Sequence, residues 1–209
     1  MERPSSNDAG DAALGETNVR DEELLSAFLN GEEAMFSELV HRHEEPLYSF
    51  ICRLSGRPSD AADLFQETFV RVFEKAESFR GASSFKTWLY SIAANVCRSH
   101  GRKAAREVPA ATGGHAEHAN GSPGPDAAAA SREVGTLIAD AVGELPHEQR
   151  EVFILKVYHD MTYPEIAEAT RRPLGTVKSQ MRLALRKLRE KLRALADAYE
   201  LTEPEDIPT

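Results

Sequence analysis

The sequence predicts an all-α fold: two small helical domains joined by a flexible linker, the second domain carrying a helix-turn-helix. Three observations predict it. Apolar residues recur at three- and four-residue spacing in both halves of the chain. No stretch sustains the period-two alternation of a strand. Between the halves, residues 107–131 hold 8 Ala, 4 Gly and 3 Pro and few large apolar side chains, a composition that links rather than packs.

In chain order, residues 1–20 are rich in Ala, Gly, Asp and Asn and read as a disordered tail. From Asp21 the pattern turns helical: Leu24, Leu25, Phe28 and Leu29 share a face, and so do Phe36, Leu39, Val40, Leu47 and Phe50. A further helix is predicted from about Asp60 to Ala76. Its expected core face is Ala62, Phe65, Phe69, Val72 and Phe73, with Asp60, Asp63, Leu64 and Glu67 opposite. The next starts at Ser83 or Ser84, both good N-cap types, and reaches about Lys103. Residues 21–106 form the first domain, 107–131 the linker and 132–199 the second domain. Residues 200–209 are an acidic, Pro-broken tail.

Bulk properties narrow the function. A chain of 209 residues suits one large or two small domains. No apolar run is long enough for a bilayer, so no membrane insertion is expected. The N-terminus lacks the apolar centre of a secretory signal, and the expected location is the cytoplasm. Cys52 and Cys97 lie in separate segments and form no Cys-x-x-Cys pair. No glycine-rich phosphate loop, nucleophile elbow or zinc signature appears, and neither an enzyme nor a cofactor is expected. His41 and Glu45 stand one helical turn apart, but two ligands do not close a metal site.

Charge is distributed unevenly. The whole chain has net charge −9, yet residues 51–106 sum to +5 and residues 171–199 to +7. Two basic islands in an acidic chain suggest two separate anionic contacts.

The second island is the sharper signal. Thr162-Tyr163-Pro164-Glu165 fits a capping box: Thr162 caps, Pro164 sits in the first turn, and Glu165 reaches back. A short helix to Thr170 follows. Arg171-Arg172-Pro173-Leu174-Gly175 is then expected to turn, and Thr176 to cap a second, longer helix. On that helix Val177, Met181, Ala184, Leu185, Leu188, Leu192 and Leu195 form the core stripe. Lys178, Arg182, Arg186, Arg189 and Arg193 line an adjacent one. In a helix-turn-helix the start of the second helix enters the major groove. Lys178, Ser179, Gln180 and Arg182 are therefore candidates for base edges, and Arg171, Arg172, Arg186 and Arg189 for phosphates.

The first island mixes Arg80, Lys86, Arg98, Arg102, Lys103 and Arg106 with Phe79, Phe85, Trp88 and Tyr90. Basic side chains interleaved with aromatics suit single-stranded nucleic acid, whose bases stack. Asp63 and Glu67 beside Leu64 make a plausible docking face for a basic protein.

DLFQETFVRVF, FRGASSFKTWLYSIAANV and LPHEQREVFILKVYHDMTYPEIAEATRRPLGTVKSQMRLALRKLRE, in this order, resemble bacterial RNA polymerase sigma factors of the extracytoplasmic-function (ECF) group of the sigma-70 family. The likeness covers about Asp21 to Arg193 without the linker. It implies that the first domain is sigma region 2. That region would dock on the polymerase clamp coiled coil through Asp63, Leu64, Gln66 and Glu67, and would recognise and melt the −10 element. Phe79, Arg80, Ser83, Ser84 and Lys86 fall in the loop that captures a flipped base, with Asn95, Arg98 and Arg102 on the helix behind it. The second domain would be region 4, reading the −35 element from the helix at Thr176 and leaning on the polymerase flap. An anti-sigma factor is an implied further partner. The chain departs from the family pattern at Ala94 and Gln180, where Arg is common, and at Ser99, where Asp is common. A stand-alone helix-turn-helix regulator is the alternative, but it leaves the acidic face and the first basic island unused.

Overall fold

The computed structural model describes residues 19–107 and 125–200, with side chains for 19–104 and 134–194. The expected N-terminal and C-terminal tails and most of the linker lie outside the described residues. The elements are α1 (Asp21–Leu29), α2 (Ala34–Ser55), α3 (Pro58–Lys75), a 3₁₀ turn (Ala76–Ser78), α4 (Phe85–Glu107), α5 (Pro125–Gly143), α6 (His147–Val157), α7 (Tyr163–Thr170) and α8 (Leu174–Glu200). Among the described residues there is no strand. Helix α5 begins at Pro125, ahead of Ser131 where the apolar period resumes; proline is well suited to a first helical turn.

In the first half, α2, α3 and α4 pack on one another and α1 lies against α2. The core holds Leu39, Leu47, Phe50, Ile51, Phe85 and Leu89, all fully buried. Ser84 caps α4: Thr87 N donates to its Oγ at 3.2 Å and Trp88 N to its carbonyl at 3.1 Å. Glu22 Oε1 accepts from Phe85 N at 2.7 Å, an acid from α1 placed at the positive end of α4.

The phase of α3 differs from the sequence reading by one residue. Ala61, Leu64, Thr68, Phe69 and Val72 face the core, while Ala62 and Phe73 face outward. Thr68 is tolerated inside because its hydroxyl donates to Leu64 O at 2.7 Å, which leaves no unpaired polar group. Leu64, expected on the exposed docking face, is therefore part of the core at 1 % exposure.

In the second half, the capping box of α7 forms. Glu165 N donates to Thr162 Oγ1 at 3.4 Å, and Thr162 N to Glu165 Oε2 at 2.7 Å. Arg171 adopts a left-handed conformation, φ 55° and ψ 41°, and ends α7. Arg172 N reaches back to Ala167 O at 3.0 Å and Arg171 N to Glu168 O at 3.1 Å, a Schellman closure. Helix α8 follows at once, with Val177 N donating to Pro173 O at 3.1 Å. Leu174 and Gly175 are thus helical, and Thr176 lies inside the first turn instead of capping it. The turn is short because Arg171 makes the whole reversal. Val177, Met181, Ala184 and Leu188 form the buried seam of α8, and Leu185, expected in it, is 45 % exposed. The side chain of Leu195 lies outside the described residues.

The halves meet. Helix α6 packs on α2, and α7 packs on α4.

Candidate nucleic-acid interface

Helix α8 presents its cationic stripe as a rigid, preformed surface. Lys178, Arg182, Arg186 and Arg189 are exposed, each opposite the buried seam. Arg171, at the left-handed turn, is exposed beside them. The other candidates of this region are turned inward. Ser179 Oγ donates to Thr176 O at 2.8 Å. Gln180 is half-buried, with Nε2 3.5 Å from Glu148 Oε2. The Arg172 guanidinium lies 2.7 Å from Glu151 and 3.7 Å from Glu148, so it is held by acids of α6.

The first basic island is arranged differently. Phe79 is half-buried against Trp88, with ring centroids 5.2 Å apart, and Trp88 is 5.9 Å from Phe85. Arg80 and Ser84 are exposed and Ser83 is half-buried. Asn95 Oδ1 accepts from Arg98 Nη1 at 2.8 Å, and Arg98 Nη2 continues to Glu151 Oε1 at 2.9 Å. Lys86 Nζ donates to His159 O at 2.7 Å. Arg102 is exposed and reaches Ser99 Oγ at 3.4 Å. Asn95, Trp88, Ser91, Arg71, Lys75 and Arg171 line a cleft of about 370 Å³ where the two halves adjoin. Ala94 is fully buried, so a phosphate contact has no place at that position.

On α3, Asp63, Gln66 and Glu67 are exposed, and Glu67 Oε1 accepts from Arg71 Nη2 at 2.5 Å. His43 Nε2 is 2.6 Å from Asp21 Oδ2, a pairing that lowers the Asp21 carboxyl below its usual range. Among the described residues no three His, Cys, Asp or Glu side chains converge as metal ligands would. Burial pushes the Cys97 thiol up to about 12, which makes it unreactive.

Several residues at the meeting of the halves carry chemistry that sequence reasoning missed. Glu151 is fully buried between two arginines. His159 is 7 % exposed; its Nδ1 is 2.9 Å from Tyr90 Oη, and its Nε2 is buried without a partner. Burial, with help from Lys86 and Arg53, pulls the His159 imidazole down to about 4. Arg150 Nη1 lies 3.4 Å from Leu54 O, and the Arg53 guanidinium sits 4.3 Å above the Tyr158 ring. No signal in EQREVFILKVYHD marks these roles, because an acid on a helix face reads as solvated unless its neighbour across space is known.

The family model Sigma-70 region 2 matches residues 39–107, and Sigma-70, region 4, matches residues 136–188. The ECF RNA polymerase sigma factor SigW of Bacillus subtilis is 30 % identical over 173 residues, 79 % of this chain and 92 % of the relative. The chain belongs to the ECF sigma factors. The ECF RNA polymerase sigma-E factor of Haemophilus influenzae is 28 % identical over 85 % of this chain and 97 % of its own. Among solved structures, the sigma factor RpoE of Bartonella quintana, in complex with the anti-sigma factor NepR, is similar. It has a TM-score of 0.65 and 28 % identity, covering 76 % of this chain and 96 % of that one. The first half is thus sigma region 2 and the second sigma region 4. Sigma factors are transcription initiation factors and not catalysts. Among the described residues, no helix is long and apolar enough to cross a membrane.

Proposed function

We propose that this sigma factor binds core RNA polymerase in the cytoplasm and directs it to a specific set of promoters. Region 4 (132–199) reads the −35 element, while region 2 (21–106) recognises and melts the −10 element. The observation that carries this reading is the exposed stripe Lys178, Arg182, Arg186 and Arg189 on the helix after a capped helix-turn, in a chain of net charge −9. In that setting Lys178 and Arg182 meet base edges, and Arg171, Arg186 and Arg189 meet phosphates. Asp63, Gln66 and Glu67 offer an acidic, polar docking face to the clamp coiled coil, and region 4 also leans on the flap. Phe79 and Trp88, with Asn95 and Arg80 nearby, suit capture of an unstacked base. An anti-sigma factor is a further expected partner.

The linker permits the reading. Two promoter elements one and a half turns apart lie ~50 Å from each other. The 17 residues between α4 and α5, 108–124, reach at most about 60 Å at full extension.

The test is transcription in vitro with core polymerase on a randomised promoter library. Enrichment of paired −10 and −35 motifs at fixed spacing is expected. A chain that neither binds core polymerase nor supports initiation, yet still binds a duplex site alone, is a stand-alone regulator and overturns the reading.

A further inference from the structure

One apolar side chain of α8 stands on the wrong side of the helix for packing. At about 100° per residue, Ser179 and Arg186 lie opposite the buried seam of Val177, Met181, Ala184 and Leu188, and Arg182 and Leu183 lie on either side of that direction. Arg182 and Arg186 are exposed and Leu183 is half-buried. Among the described residues, the partly buried apolar side chains that pack on the core include Leu192 but not Leu183. In water, a leucine at such a position does no more for the helix than Lys, Arg or Gln would. The polar group beside it is already engaged. Ser179 Oγ donates to Thr176 O at 2.8 Å, so the single proton of that hydroxyl stays within the helix. The cations Lys178, Arg182 and Arg186 therefore border a spot on α8 that offers an apolar group and no free donor.

We propose that Leu183 is a specificity residue of the −35 head, which reads the C5-methyl of a thymine by apolar contact. This inference rests on the promoter reading above, in which the start of α8 enters the major groove. Each base pair shows its own pattern there, and thymine alone among the four bases adds a methyl group, beside its O4 acceptor. A side chain without donor or acceptor pairs with neither N7, O6 nor an exocyclic amine, and each of those groups would lose water against it without replacement. The thymine methyl loses water as well and gains by it. Leucine thus favours thymine and disfavours the other three bases at the same contact. Arg182 on a neighbouring base edge and Arg186 on a phosphate fix the depth at which Leu183 is presented. Burying one methyl group is worth about fourfold in affinity.

The test uses holoenzyme and the −35 sequence that it selects from a randomised library. Each thymine of the selected element is replaced in turn by deoxyuridine, which keeps the base pair and removes only the methyl group. Wild type should lose about fourfold in affinity at one position and little at the others. Leu183→Ala should lose that sensitivity at the same position, together with part of its preference for thymine over cytosine there. Leu183→Met, apolar and of similar volume, should keep it. A variant whose helix is merely loosened weakens all probes alike and still registers the missing methyl, so the ratio of thymine to deoxyuridine affinity separates reading from folding. A wild type indifferent to deoxyuridine at every position overturns the proposal, and so does a Leu183→Ala protein that keeps the full methyl effect. Holoenzyme that selects no −35 motif at all overturns the promoter reading itself.

Discussion

The two surfaces proposed to face DNA are built on the same kind of element and held in opposite ways. In region 4, Lys178, Arg182, Arg186 and Arg189 project from a long helix whose other side is pinned by Val177, Met181, Ala184 and Leu188. In region 2, Lys86 and Arg98 lie on an equally well-packed helix, but their charged ends are tied to region 4. The contrast separates two tasks. A reading head for duplex DNA gains from being rigid before contact, whereas a surface that captures unpaired bases is useful only after polymerase is present. The comparison teaches that exposure, and not composition, distinguishes the two basic islands.

The largest effect should come from breaking the seam that presents the proposed −35 head. Leu188→Ala removes a buried side chain from the α8 seam and should destabilise the protein by about 2–5 kcal/mol. Thermal unfolding and loss of −35 protection would show whether the stripe depends on that packing. Next is the stripe itself. Arg182→Ala should cost about 1–3 kcal/mol on the preferred sequence and relax one or two base pairs. Arg189→Ala should weaken all sequences alike and lower the salt slope by about 1. Equal, sequence-independent losses from both, measured in holoenzyme, would reduce the stripe to a solvated cationic face.

Acidification addresses the other side of the comparison. His159 faces Tyr90 from α4 and Phe50 from α2, with Lys86 and Arg53 nearby and Asp160 adding an opposing pull. Its pKa in the folded protein is lowered to about 4 from an ordinary 6.5. The contact between the halves therefore gains from neutral His159 above pH 6.5 and loses that gain as pH falls through 6.5 toward 4. The protonated ring carries N–H on both nitrogens, and Nε2 is buried with no acceptor. The radius of gyration should rise over that window, and His159→Phe should remove the dependence.

The smallest structural effect should follow Glu67→Lys. It exchanges an exposed ion pair with Arg71 for a repulsion and should change helix stability by only a few tenths of a kcal/mol. Core polymerase affinity should nonetheless fall, because complementarity is inverted at the docking face. Unchanged affinity would remove that face from the polymerase contact.

Much of this was legible in the sequence, for physical reasons. The Thr162–Glu165 capping box, the short α7 and the α8 stripe follow from local spacing, and local hydrogen bonds decide them. The phase of α3 was not legible. Two apolar rows, Ala61-Leu64-Phe69-Val72 and Ala62-Phe69-Phe73, compete on one helix, and Thr68 enters the core only because its hydroxyl finds the Leu64 carbonyl. The start of α8 was misplaced because Arg171 takes a left-handed conformation that a non-glycine residue adopts at a cost. Glu151 and His159 were invisible because Arg98 and Tyr90, which they meet, lie more than fifty residues away.

The central claim is that the exposed α8 stripe reads the −35 element, while the charged ends of Lys86 and Arg98 are held by region 4. The direct measurement compares the free chain with holoenzyme on two probes from the selected promoter: a −35 duplex and a single-stranded −10 segment. The account predicts that forming holoenzyme raises affinity for the −10 strand by a much larger factor than affinity for the −35 duplex. Equal gains on the two probes would contradict it.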